Sequence, residues 1–196
     1  MLTDGYHDVA NDKLAVVVTQ LEMRAQADVR PVNVPSGVTL KRIDVPDVDW
    51  YRSIFSRVGD DWLWLSRTLL SDDDLTAIIQ DKDVHIWTLT KDGKDEALLE
   101  LDFRTKGECE LLFFGLTTAL IGSGAGRFLM NTAIENAWAQ PIDRFHVHTC
   151  TGDSQQAMQF YTRSGFTPIK RKVEIFDDPR KSHDWDPTLA PHLPML

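Results

Sequence analysis

The stretch ELLFFGLTTALIGSGAGRFLMNTAIENAWAQ, residues 110–140, constrains this chain more than any other. It reads as a strand (110–116), a short turn, a loop carrying Gly122, Gly124 and Gly126, and then a helix. Glycine has no Cβ, so the backbone there can take left-handed dihedrals and admit a ligand closely. The helix that follows aims its unpaired amides and the positive end of its dipole at that loop. Strand, glycine loop and helix N-terminus together form an anion site.

Spacing removes two phosphate motifs. A P-loop needs Lys and then Ser or Thr after its last glycine, where this chain has Arg127 and Phe128. A dinucleotide fingerprint counted from Gly122 and Gly124 needs glycine at the position of Arg127. The run Ile121, Gly122, Ser123, Gly124, Ala125, Gly126 instead resembles Q/R-x-x-G-x-G/A, the signature of the GNAT N-acetyltransferases. In that family the loop amides hold the pyrophosphate of acetyl-coenzyme A.

At 196 residues the chain is read as one domain. It comprises an N-terminal extension with one strand (1–37), a core (38–176) and a proline-bearing tail (177–196). No apolar run approaches the ~20 residues of a membrane span. The N-terminal residues lack the charged and apolar regions of a secretory signal, and the two cysteines make no disulfide framework. Both thiols read as reduced and the protein as cytoplasmic. A formal net charge of -9 argues against nucleic-acid or anionic-membrane partners and suits a cationic substrate.

Residues 14–23 and 38–43 read as strands and 46–58 as a helix by its apolar spacing. Residues 62–70 and 73–80 suggest one or two more helices, the second capped by Ser71. Strands follow at 84–90, 97–104 and 109–116, joined by Asp92-Gly93 and Lys106-Gly107 turns. After the helix at 124–140 come a strand (145–150), a helix (153–164) with a capping-box pattern at Asp153–Gln156, and a strand or strand pair (166–176).

This order from 38 to 176 is that of GNAT proteins. A second motif, QQAMQFYTRSGF, resembles their N-x-x-A-x-x-[LF]-Y-x-[KR]-x-G-F at Ala157, Phe160, Tyr161, Arg163, Gly165 and Phe166. The resemblance implies an α/β (α+β) fold with a mixed, mostly antiparallel sheet and helices on both faces. The fourth and fifth core strands (109–116 and 145–150) are parallel and splay apart at one end. The splay leaves backbone groups of the fourth strand for a ligand to pair. By resemblance, the backbones of Phe114, Leu116 and Thr117 contact pantetheine. Gly122, Ser123, Gly124, Ala125, Gly126 and Arg127 hold the pyrophosphate, and Ser154 takes the place of a cofactor-contacting Asn. Ile121 and Ser123 depart from the basic residues usual there.

Acetyl transfer to an amine needs a base for the ammonium proton and an acid for the departing thiolate. Glu110, fourteen positions before Gly124, stands where some family members keep a glutamate base. Alternation groups it with Leu112 and Phe114, surroundings that raise a carboxyl pKa. An ordered water is the other candidate base. Tyr161 matches the family's thiolate donor, and the Leu116 amide is placed to polarise the thioester carbonyl. His146 and His148 lack convergent further ligands, so no metal site is expected and both read as structural. Trp62, Trp64 and Trp87 read as core, with the lining of an acceptor pocket as the alternative, and Glu100 with Asp102 as a site for a cationic acceptor.

The sequence thus points to acetyl transfer from acetyl-CoA to a primary amine, first of a small molecule, by direct attack in a ternary complex. The alternatives are a protein N-acetyltransferase and a noncatalytic acyl-CoA-binding module. The terminal extensions offer material for a homodimer.

Overall fold

A computed structural model describes residues 2–183 and 185–196. Strands β1 (Lys13–Met23), β2 (Val38–Ile43), β3 (Val84–Lys91), β4 (Lys94–Asp95), β5 (Ala97–Asp102), β6 (Glu108–Leu116), β7 (Arg144–Cys150) and β8 (Thr167–Asp177) make one sheet. Its order is β2-β3-β5-β6-β7-β1-β8, with β4 hairpinned onto β3. Among these pairings only β6–β7 is parallel. Helices α1 (Val48–Gly59) and α2 (Asp72–Ile79) cover one face. Helices α3 (Ala125–Trp138) and α4 (Ala157–Arg163) cover the other, and a short α5 (Pro179–Ser182) follows β8.

Three clusters make the core, and the two larger ones lie on either face of the sheet. Tyr51, Ile54 and Phe55 of α1 meet Leu75, Ile79, Ile86 and Leu98 on one face. Leu129, Ala133 and Ala137 of α3 meet Leu99, Leu111 and Phe145 on the other. α1 presses so close to β6 that a Cβ at Gly115 would lie 2.2 Å from Val58 Cγ1. Glycine at 115 is what this approach requires. Both long helix starts on this side have side-chain caps. Asp47 accepts from the Trp50 amide at 3.0 Å, and Ser71 from the Asp74 amide at 3.2 Å.

Four elements differ from the sequence reading. β1 is no appendage, because it lies inside the sheet, antiparallel to both β7 and β8. Its side chains explain this. Leu14, Val16 and Val18 bury on one face, Leu21 and Met23 on the other. The rest of the N-terminal extension packs down with it, Ala27 and Val29 against the core and the Arg30 carbonyl accepting from Asn131 Nδ2 at 2.6 Å.

Residues 62–70 form no α-helix. A 3-10 turn (Asp60–Trp62) ends at Leu63, left-handed at φ 53°. Leu63 turns to Leu14 and Ala190 while Trp64 turns to Phe55 and Phe113, so adjacent apolar residues anchor in different clusters. α4 starts at Ala157, not at residue 153. Asp153 does not cap it, since its carboxylate accepts from Thr149 Oγ1 (2.6 Å) and the Cys150 amide (2.8 Å).

The tail is folded too. Buried Arg180 pairs with Asp178 and donates to the carbonyls of Leu189 (3.1 Å) and Leu193 (2.9 Å). That gathers Trp185, Leu189 and Leu193 around Leu14, Leu63 and Ala190.

Candidate active site

β6 and β7 stay in register for three residue pairs, Glu108 with Arg144, Cys109 with Phe145 and Glu110 with His146, and then part. Beyond Glu110 the β7-facing edge of β6 has no strand partner among the described residues, which is the expected splay. β6 then runs into the glycine loop. Gly122 (φ 78°) and Gly124 (φ 88°) are left-handed, and Gly124 is the residue from which α3 starts. A Cβ at Gly122 would meet nothing within 4 Å, and one at Gly124 only Val32, at 3.8 Å. The loop therefore presents bare backbone at the N-terminus of a fourteen-residue helix. The donor set is amide-rich and suits a pyrophosphate.

The polar side chains here are largely engaged within the protein. Ser123 Oγ donates to the Leu120 carbonyl at 2.6 Å and accepts from the Ala125 amide at 3.3 Å. Arg127 turns toward α4, donating to Ser164 Oγ at 2.8 Å with its guanidinium 4.9 Å from the Phe160 ring centroid. Burial, with Arg30 nearby, holds its pKa below the usual value. Thr117 spends its amide (3.0 Å) and hydroxyl on Glu96, and its carbonyl accepts from the Leu120 amide at 3.1 Å, so the pantetheine contact expected of its backbone has only that carbonyl's second lone pair. Ser154 lies in the turn before α4, its carbonyl accepting from the Ala157 amide.

Tyr161 sits on the α3 side of the gap. It is 8% exposed, with its ring 6.5 Å from Phe114 of β6 and 5.9 Å from Phe160. Burial pushes its hydroxyl well above the usual pKa, which keeps the proton on the oxygen. Gly165 follows the α4 cap at φ 104°, as the motif requires.

On the opposite face the structure corrects the grouping around Glu110. Leu101 pairs with Leu111, and Glu100 with Phe113, so Leu112 is an extra residue on β6. This bulge reverses the alternation, placing Glu110 on the face of Phe113 and away from Phe114. The expected rise in pKa is reversed as well. His148, two residues past the last β6–β7 pair, has Nδ1 3.2 Å from Glu110 Oε1. That hydrogen bond outweighs burial and holds the Glu110 carboxyl below its usual range. The same contact holds His148 above the ordinary imidazole value. His148, read from the sequence as structural, is therefore paired with the candidate base at the vertex of the splay. The signal in the sequence was its alternation with His146 on the strand parallel to Glu110, but the register was not readable.

His146 faces Glu108 at 3.4 Å. Among the described residues no group of three or more His, Cys, Asp or Glu side chains is arranged to hold a metal. A cavity of about 370 Å³ beside the vertex is lined by Asp102, Arg104, Glu108, Glu110 and His146. A second, also about 370 Å³, lies between α1 and the tail, lined by Tyr51, Phe55, Arg67, Trp185 and Leu189 among others.

Glu100 is not free to meet an acceptor. It is fully buried, accepting from Tyr51 Oη and Arg67 Nη2, each at 2.5 Å. Trp87 is core, Trp64 packs on Phe55 and Phe113, and Trp62 lies 5.5 Å from the His192 ring.

A mixed sheet whose one parallel pair opens ahead of a glycine loop and helix N-terminus defines a GNAT-type acyltransferase scaffold. The pattern of the Acetyltransferase (GNAT) family matches residues 49–166, more than half of the chain, and the chain belongs to that family. It is similar to a mycothiol acetyltransferase from Jonesia denitrificans, 38% identical over 66 residues, which are 34% of this chain and 21% of that protein. The match thus spans about a fifth of that relative.

The fold is similar to that of a GCN5-related N-acetyltransferase from Sphaerobacter thermophilus (TM-score 0.63, 13% identity, 83% of this chain and 52% of that one). It is also similar to an aminoglycoside acetyltransferase from an uncultured soil metagenomic sample (TM-score 0.58, 11% identity, 72% and 96%). No helix among the described residues is long and apolar enough to cross a membrane.

Proposed function

We propose that this protein transfers an acetyl group from acetyl-CoA to a primary amine of a small molecule, by direct attack in a ternary complex. The observation that carries the reading is the opening of β6 from β7 just past Glu110, ahead of a loop of bare left-handed glycines. The loop amides and the start of α3 would hold the pyrophosphate, and the unpaired edge of β6 the pantetheine arm. A protein similar in sequence is named for mycothiol and one similar in fold for aminoglycosides, which favours a small molecule.

The carboxylate-lined cavity beside Glu110 suits a cationic amine. The Glu110–His148 pair takes the ammonium proton, directly or through a water, once His148 is neutral. The freed amine attacks the thioester carbon, the carbon–sulfur bond breaks, Tyr161 gives its proton to the departing thiolate, and the proton that the nitrogen sheds on becoming an amide returns to the Tyr161 oxygen. The Leu116 amide is our candidate for polarising the carbonyl.

Calorimetric titration of acetyl-CoA tests the reading. Binding is expected for the wild type and is expected to be abolished by Gly124→Trp, which adds bulk and strain at a left-handed position. A second reading, a noncatalytic acyl-CoA-binding module, draws support from Ile121 and Ser123, which leave the loop with no cation but Arg127, itself donating to Ser164. Binding without turnover on any of a panel of amines would favour that module. Turnover that Tyr161→Phe lowers while binding persists would favour the enzyme.

A further inference from the structure

β8 ends the sheet, so one of its edges has no strand beside it among the described residues. Ten of its eleven residues are exposed. On the face that carries α3, that helix and α4 cover Leu21 and Met23 but do not reach the far end of β1 and β8. Val17, its partner Val173 and Ile175 are there 41%, 48% and 57% exposed. An open strand edge flanked by uncovered apolar side chains is an association surface.

We propose that a second copy of this chain occupies this edge, pairing β8 antiparallel with its own β8 about a twofold axis through Val173. The register follows from parity and charge. A twofold axis perpendicular to the sheet keeps each side chain on its own face, so continuous pleating requires a central residue opposite itself. A centre at Arg171 opposes two arginines and sets Lys170 against Lys172. A centre at Lys172 or Glu174 opposes that charge to itself, and a centre at Ile175 sets Glu174 against Phe176 and leaves Lys172 only Asp178, which lies past the strand, buried and held by Arg180. A centre at Val173 sets Lys172 against Glu174 of the second copy, twice, and opposes no like charges. On the apolar face it brings Val173 onto its counterpart and lays the Arg171 stem along Ile175. Pro168 and the run Lys170–Lys172 discourage other pairings at this edge.

Sedimentation of the 196-residue chain over a range of concentrations tests this. A mass approaching twice the 22.3 kDa chain is expected as concentration rises. Lys172→Glu and Glu174→Lys should each remain at the single-chain mass, because each opposes like charges across the twofold. An equimolar mixture of the two variants should recover the double mass, since every opposed pair is then Lys with Glu. Val173→Cys should oxidise to a covalent dimer, opposed Cα atoms in an antiparallel pair being ~4.5–5.5 Å apart.

Single-chain mass at every concentration would overturn the proposal. A dimer that survives both charge reversals would do so too, by placing the contact elsewhere. A mixture that stays monomeric while both variants keep the wild-type circular dichroism would exclude this register.

Discussion

Glu100 and Glu110 occupy neighbouring strands and face the same side of the sheet, yet their surroundings set them to different work. Glu100 has no exposed surface. Burial pushes its pKa up, and the Arg67 guanidinium and Tyr51 hydroxyl that close around it oppose that rise. Arg67 also lies 5.4 Å from the Phe113 ring centroid, so the network ties α1, the 63–70 loop, β5 and β6 together. Glu110 is half-buried, opens on a cavity, and has a histidine as partner. A carboxylate enclosed by fixed donors is a structural tie. One that shares a proton with a titratable partner beside a cavity can do chemistry.

The largest effect expected is on stability. Arg67→Ala leaves the Glu100 carboxylate buried against Tyr51 alone, and breaking such a buried pair costs about 3–5 kcal/mol in urea unfolding. Glu110→Gln should cost under about 1 kcal/mol, because its partner is exposed and screened. Comparable losses from the two variants would break the distinction. The activities should invert it, with Glu110→Gln lowering kcat roughly 100-fold while acetyl-CoA binding is unchanged.

Features that arise between near neighbours in the chain were legible in the sequence. The glycine loop, α3, the second motif and the Ser71 cap of α2 each depend on residues only a few positions apart. What the sequence did not yield depends on register. Glu100 looked available for an acceptor because Arg67, thirty-three positions upstream, sat in a stretch read as helical. Glu110 was grouped with Phe114 because one extra residue, Leu112, leaves no mark in the alternation. β1 appeared separate because its two neighbours, β7 and β8, are more than a hundred residues away in sequence. Cofactor-loop residues were assigned by type, yet Ser123 and Arg127 bond within the protein.

The pH dependence sharpens the contrast further. Glu110 is held low, so its contribution to stability is present above its unfolded pKa and lost as pH falls through the folded value. His148 is held high, so its contribution is present below its unfolded pKa and lost as pH rises through the folded value. The pair is therefore strongest between the two, where His148 carries a proton and cannot accept another. Activity should rise with pH along a limb above the ordinary imidazole value of about 6.5. Glu110→Gln removes the partner, so the remaining activity should rise along a limb displaced toward lower pH. An unmoved limb would assign the base elsewhere.

The smallest effect separates Glu110 from its own neighbour. Glu108 shares its face and its cavity, so residue type and alternation alone do not choose between them. The two differ in partner. Glu108 is held by the permanently charged Arg144 at 3.0 Å, which also pairs with Glu22 at 2.8 Å, and its contact to His146 is longer, at 3.4 Å. An arginine cannot pass a proton on, so Glu108 is fixed as a counterion. It also lies before the splay, paired with Arg144, while Glu110 stands at the last pair before the strands part. Glu108→Gln should therefore change kcat less than about twofold and stability by under about 1 kcal/mol, the usual yield of a part-exposed ion pair. If it instead matched Glu110→Gln in kcat, the cavity's carboxylates would act together in holding the acceptor, and the pairing with His148 would not be what marks the base.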